Sequence, residues 1–321
     1  MRIANNWTDY ALLDCAEGER LERWGDILLV RPDPQVIWSG RAHPLWGKAH
    51  ARYLRSGSGG GHWETLRPMP QEWQMKYELP MPNKNKPPLP NAPSGGAPLK
   101  FGLKPMGFKH TGLFPEQAVN WDMLAEHIRA LRERKMPESS DALEKRPKAL
   151  NLFAYTGGAT LACLRAGAHV THVDAARGMV QRARDNAALS GLADKPVRWI
   201  VEDCLKFARR EIRRGSKYDI ILLDPPSYGR GPGGEVWKLA EELHGFIALC
   251  AGLLREDGLL LLNSYSAELS PAVMQYLLGK ILVPKLGGSV TCDEIGLPVE
   301  STGMALPCGS TAIWRGEQHA D

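Results

Sequence analysis

The sequence predicts an α/β protein, an open and mostly parallel sheet preceded by a smaller β-rich region. Three observations predict this. From residue 148 onward, apolar runs of strand length alternate with helix-patterned segments, the pattern of successive βαβ units. Within residues 148–174 lie a strand, a glycine turn, a helix and a second strand ending in Asp174. Residues 1–110 instead carry short strand-like runs bounded by Pro and Gly, which sets them apart from residues 111–321.

In the first region the strand-like runs are residues 27–31, 73–79 and 99–103. Residues 56–61 (SGSGGG) and 80–98 (rich in Pro, Asn and Lys) read as flexible connections. Residues 36–110 hold eleven Lys or Arg against Glu64, Glu72 and Glu78, although the whole chain is only +4. Such asymmetry points to an anionic partner met by one part of the chain. Six of the ten tryptophans (Trp7, Trp24, Trp38, Trp46, Trp63, Trp73) fall early. Basic residues interleaved with flat aromatics suit a nucleic acid with unpaired bases. The same tryptophans equally suit the core of a small β module.

A helix is expected from about Pro115, with Val119, Leu124, Ile128 and Leu131 at helical spacing and Pro137 as its stop. Next come a strand at 149–154, the turn Tyr155-Thr156-Gly157-Gly158, a helix at 159–166 and a strand at 169–173. Glycines permit close backbone approach, and a helix N-terminus offers free N–H groups. Asp174 stands 17 residues beyond Gly157, where a carboxylate can accept both hydroxyls of a ribose. That position suits NAD and S-adenosylmethionine alike.

The alternation continues with helices at 176–190 and 205–214 around a strand at 197–201, then a strand at 218–223. That strand runs into Asp224-Pro225-Pro226-Ser227-Tyr228. A helix at 235–254, a strand at 258–263 and a helix from Ser270-Pro271 follow. Residues 289–295 and 311–314 would close the sheet edge as a hairpin. In open α/β sheets, ligands bind outside the carboxyl ends of the strands. Tyr155-Thr156-Gly157, Asp174, Asp203 and Asp224 are thereby placed on one rim. A lone strand-end Asp is also a favoured helix N-cap, so the signal is the set of four.

The six cysteines are scattered, without C-x-x-C or zinc-type pairing with histidine, which fits a reducing cytoplasm and no metal. The first residues lack the apolar core of a secretion signal, and no run reaches the ~20 apolar residues of a membrane span.

The segments LNLFAYTGG, HVD, VEDC and ILLDPPSYGRG resemble class I S-adenosylmethionine-dependent methyltransferases. They are most similar to the bacterial enzymes that methylate large-subunit rRNA bases to 5-methylcytosine or N2-methylguanine. Gly112-Leu113-Phe114-Pro115-Glu116-Gln117 is similar to that group's motif ending in Asp-Gln-Arg. The resemblance implies a Rossmann-like sheet of seven strands with the last antiparallel, S-adenosyl-L-methionine as cofactor, and RNA, rRNA above all, as partner. It implies cofactor contacts from Phe114, Gln117, Phe153, Tyr155, Thr156, Gly157, Asp174, Ala175, Asp203, Cys204 and Asp224. An NAD enzyme is disfavoured, because the turn Tyr155-Thr156-Gly157-Gly158 between the first strand and its helix does not meet G-x-G-x-x-G.

Making 5-methylcytosine needs a cysteine nucleophile, which in that group follows the fifth strand. Here the segment is Asn263-Ser264-Tyr265-Ser266; Tyr265 stands at the cysteine position, and Cys204 is the next thiol to consider. Methylation of an exocyclic amine fits better. Asp224 and the Pro225 carbonyl would hold the amine, Pro226 would stiffen the loop, and Tyr228 would stack on the base. A protein or small-molecule methyltransferase, or an RNA-binding assembly factor without turnover, are the other readings.

Overall fold

A computed structural model of the protein describes residues 1–57, 60–81, 96–107, 109–135, 145–231 and 233–317. The chain begins with strand β1 (Arg2–Ile3), then β2 (Tyr10–Ala16), β3 (Glu19–Trp24), β4 (Ile27–Pro32), β5 (Ala51–Arg55), β6 (Gly61–Thr65), β7 (Trp73–Tyr77) and β8 (Leu99–Leu103). A short 3₁₀ turn, Pro115–Gln117, leads into helix α1 (Ala118–Lys135). Next are β9 (Lys148–Leu152), α2 (Gly158–Ala166), β10 (His169–Asp174), α3 (Arg177–Leu189), β11 (Val197–Val201), α4 (Cys204–Arg213) and β12 (Tyr218–Leu223). The last third holds β13 (Tyr228–Arg230), β14 (Val236–Lys238), α5 (Leu239–Ala251), β15 (Leu254–Ser264), α6 (Pro271–Leu286), β16 (Ser289–Pro298) and β17 (Ala305–Arg315).

The main sheet runs β11-β10-β9-β12-β15-β17-β16-β1. Neighbours from β11 to β15 are parallel, and β17 inserts antiparallel between β15 and β16. The sheet thus contains the seven expected strands, and β1 adds an eighth beside β16. β12 is buried along its whole length, as expected for a strand covered on both faces. Alternate residues feed two cores. Ile220, Leu259 and Leu261 pack with α1, α2 and α3; Ile221, Leu260 and Leu262 pack with α4, α5 and α6. Each such fully buried Leu or Ile contributes about 1.5–3 kcal/mol.

The first region forms a five-stranded sheet, β2-β3-β4-β5-β6, and the β7–β8 hairpin. Four of these strands (β2, β3, β5, β6) go beyond the runs expected from the sequence. Four of the six residues of β3 (ERLERW) are charged, without strand alternation, and its Glu22 is fully buried against Arg31; a charged residue at an interior position hides the strand. The region shares a core with α1: Tyr77 and Phe101 lie 5.6 and 5.4 Å, centroid to centroid, from Trp121.

One expected helix is corrected. Residues 235–254 do not form a single helix, because 236–238 pair as β14 with β13 and α5 starts at Leu239. Residues 58–59 and 82–95 of the two expected flexible stretches, and the stop at Pro137, lie outside the described residues. Ser270 caps α6 through Val273 N, with Pro271 at the first helical position, as read from the sequence.

Candidate active site

The carboxyl ends of β9, β10, β12 and β15 open on one cavity of about 950 Å³. Of the residues expected on the rim, Phe114, Phe153, Tyr155, Asp174, Ala175, Asp203, Cys204, Asp224, Pro225 and Pro226 line it. Gln117 and Thr156 line a smaller cavity of about 60 Å³ that shares Phe114, Phe153, Tyr155 and Asp224 with the first. Gly157 and Tyr228 line neither.

The turn after β9 is strained. Phe153 and Tyr155 have φ of 57° and 51°, the left-handed region, which costs a non-glycine residue about 1–3 kcal/mol. Their surroundings hold them there. Tyr155 N donates to Asp174 Oδ2 at 2.8 Å, Ala154 N to Val173 O at 3.1 Å, and Phe153 N to Cys204 Sγ at 3.2 Å. Asp174 Oδ1 also accepts from Ala176 N at 2.8 Å. Burial pushes the Asp174 carboxyl upward, and the two N–H donors pull against it. Each carboxylate oxygen has lone-pair capacity beyond its one N–H, so the group can receive a diol across the cavity.

The two glycines of the turn are required by packing. Gly157 has φ 88°, and a Cβ there would sit 2.9 Å from Ala183 Cβ on α3. A Cβ on Gly158 would meet Trp121 Cζ2 at 2.5 Å. Thr156 donates to Gly112 O at 2.6 Å, tying the turn to the segment before α1. Asp203 serves as N-cap of α4 through Lys206 N at 2.9 Å while lining the cavity. The competing readings of that Asp, cap and cavity ligand, are thus compatible. Cys204 is buried, and burial pushes its thiol well up.

On the far side, Asp224 Oδ1 accepts from Asn263 Nδ2 at 3.0 Å. Burial raises the Asp224 carboxyl to about 6; Asn263 opposes that and the Glu116 carboxylate adds to it. The Pro226 carbonyl accepts from Trp237 Nε1 at 2.7 Å, so β14 braces the loop. Tyr228 begins β13 and is exposed. Tyr265 does line the cavity, with its ring 5.6 Å from Phe114. Cys308, a thiol contributed by β17, lines it too, and burial pushes that thiol up to about 12.

The first region supplies a wall that the sequence did not disclose: Arg20, Arg31, Pro32, Asp33, Pro34 and Gln35. Arg20 pairs with Asp33. Arg31 holds Glu22 through two bonds of 2.6 and 2.7 Å and donates to Lys109 O at 3.2 Å. Lys109 also lines the cavity; burial and then Arg31 lower its ammonium to about 8. No local pattern marks Arg20 or Arg31, because their position depends on how the two sheets meet. Asn263 carried a readable signal, the last polar residue of a strand reaching the rim.

Most early tryptophans belong to the fold. Trp24 is fully buried, and the indole N–H groups of Trp7, Trp38, Trp46 and Trp63 donate to Pro115 O, Cys15 O, Asp14 Oδ2 and Met106 O. No helix among the described residues is long and apolar enough to cross a membrane.

A family model described as S-adenosylmethionine-dependent methyltransferase matches residues 130–271. Ribosomal RNA large subunit methyltransferase I of Aeromonas salmonicida is 32% identical over 139 residues, covering 40% of this chain and 32% of that protein. Ribosomal RNA large subunit methyltransferase K/L of Shewanella baltica is 31% identical over 130 residues, covering 40% and 16%. The chain therefore spans a minor part of either relative. The crystal structure of an S-adenosylmethionine-dependent methyltransferase from Agrobacterium tumefaciens matches throughout, at TM-score 0.81 and 33% identity over 97% of this chain and 91% of that one. With the strand order, the Asp174 turn and the Asp224 loop, that end-to-end match shows that this chain belongs to the S-adenosylmethionine-dependent methyltransferases.

Proposed function

We propose that the protein methylates an exocyclic amine of an RNA base, with ribosomal RNA as the favoured substrate. The carrying observation is the chemistry of the cavity beside Asp224. It holds a carboxyl raised to about 6 and two thiols, Cys204 and Cys308, that burial pushes up. Carbon-5 methylation needs a thiolate, and a raised thiol is a poor source of one. A carboxylate is what an amine needs.

Asp174 would accept the ribose hydroxyls of the cofactor, beside Phe153, Tyr155 and Ala175, and Asp203 and Cys204 would border its base. Phe114, Gln117, Thr156 and the Gly157 turn would shape the end that carries methionine. When bound, S-adenosylmethionine supplies an electrophilic methyl group on a sulfonium sulfur. Asp224 and the Pro225 carbonyl would accept the two N–H bonds of the amine and direct its lone pair. The Pro226 carbonyl is already engaged by Trp237, which leaves Pro226 to fix the loop. As the nitrogen is methylated it must lose a proton, and Asp224, more basic than an ordinary carboxylate, would take it. Positioning supplies most of the rate. Tyr265 and Phe114 offer flat faces for the base inside the cavity, and Tyr228 would meet RNA flanking it.

The names of two relatives, both ribosomal RNA large subunit methyltransferases, support rRNA as the substrate and the cytoplasm as the site of action. The basic excess of residues 36–110 supports it too. The test incubates RNA from cells lacking the gene with the protein and methyl-labelled cofactor. Label in the large-subunit rRNA fraction is expected. Label in protein or small molecules alone would overturn the RNA reading.

A further inference from the structure

Behind Asp224, a run of polar side chains crosses the interior to the first strand. Arg2 on β1 donates to Asn120 Oδ1 at 2.9 Å. Asn120 Nδ2 donates to Thr311 Oγ1 at 3.1 Å and to Gln117 Oε1 at 2.8 Å. Thr311 donates to Asn263 Oδ1 at 2.8 Å, and Asn263 Nδ2 donates to Asp224 at 3.0 Å. On the other branch, Gln117 Nε2 donates to the Tyr265 hydroxyl at 2.9 Å. Asn120, Thr311 and Asn263 are each 1% exposed or less.

The direction of every bond follows from the first. A guanidinium only donates, so Asn120 must turn its oxygen to Arg2. Its two N–H bonds then point at Thr311 and Gln117. Thr311, accepting there, sends its only proton to Asn263, which must turn its N–H face to Asp224. Gln117, accepting at its oxygen, must turn its N–H face to Tyr265. Asn263 and Thr311 are directly opposed on β15 and β17, which already pair through their backbones. The sheet does not need these side chains, and buried polar groups are costly unless every one is satisfied.

We propose that Arg2, Asn120, Thr311 and Asn263 are positioning residues that fix which face of an amide meets Asp224, while the Gln117 branch fixes Tyr265 in the same cavity. The inference rests on Asp224 as the group that receives the amine. Without the Thr311 hydroxyl, Asn263 loses the donor that holds its oxygen and can turn that oxygen toward Asp224. A favourable contact with the carboxylate then becomes a repulsive one, and Asp224 keeps its proton to higher pH. The titratable groups acting on Asp224 are Glu116, from the turn before α1, and Tyr265, beyond β15. Asp203, Cys204 and Arg230 share its cavity. Thr311→Val leaves all of these groups in place, whereas Arg2→Ala also reaches Tyr265 through Asn120 and Gln117.

The test follows the Asp224 carboxyl directly by ¹³C NMR in protein labelled at aspartate, its resonance identified by its loss in Asp224→Asn. In Thr311→Val the titration midpoint should rise by about one to two pH units, the size of one hydrogen bond to a charged group. Arg2→Ala should move it the same way by less, and Thr311→Ser should restore it. An unchanged midpoint in Thr311→Val would overturn the proposal, as would an equal rise in Thr311→Ser. Should Thr311→Val fail to fold, Arg2→Ala decides: a rise supports the chain and an unmoved midpoint overturns it. No RNA enters the measurement, so failure of the RNA reading would show separately, as absent methyl transfer by the unaltered protein.

Discussion

Asn263 donates its side-chain amide to Asp224 at 3.0 Å, from the strand beside the one that leads into Asp224. This single bond ties the sheet interior to the cavity and opposes the burial that raises the carboxyl to about 6. If Asp224 must be ionised to receive the amine proton, activity follows its deprotonation. Methyl transfer should fall about tenfold per pH unit below about 6 and level off above it. A pH–rate profile flat from 5 to 8 would remove Asp224 from the proton-accepting role.

Asp174 holds two backbone N–H groups of the strained turn and lines the cavity. Asp174→Ala should weaken S-adenosylmethionine about 10- to 100-fold, the loss of charge-assisted bonds to two hydroxyls. A calorimetric titration with unchanged affinity would contradict the ribose assignment.

Gly158 lies against Trp121, where an added Cβ would stand 2.5 Å from Cζ2. Gly158→Ala should therefore destabilise the protein by about 1–3 kcal/mol through overpacking. Thermal unfolding reads this, and an unshifted midpoint would mean that α1 yields freely.

Arg31 and Glu22 form a two-bond ion pair under the cavity wall, with the Tyr10 hydroxyl donating to Glu22 at 2.8 Å. Arg31→Met strands a buried carboxylate and should cost about 3–5 kcal/mol. The double change Glu22→Gln, Arg31→Met should recover much of that loss. Equal denaturant stability of single and double variants would show that the charge is not what matters.

The catalytic half was largely legible. β9, β12 and β15 are apolar because both faces are covered, and Asp174, Asp203 and Asp224 at the ends of β10, β11 and β12 announce the rim. The first region was harder, because Glu22 and Arg31 look like surface charges until paired. Residues 236–238 read as helix because what makes them a strand, the pairing with β13 and the bond from Trp237 to the Pro226 carbonyl, is not visible in their local pattern. The polar chain to Arg2 joins residues up to 191 positions apart, and no local pattern marks it.

The central claim is amine methylation without a thiol nucleophile. Its most direct measurement digests RNA labelled by the protein and identifies the methylated nucleoside by mass spectrometry, with Asp224→Ala and Cys204→Ser, Cys308→Ser run beside it. The account predicts an N-methylated base, transfer abolished in Asp224→Ala with the cofactor still bound, and transfer kept in the serine variant. Label on 5-methylcytosine, lost when the two cysteines are replaced, would contradict it.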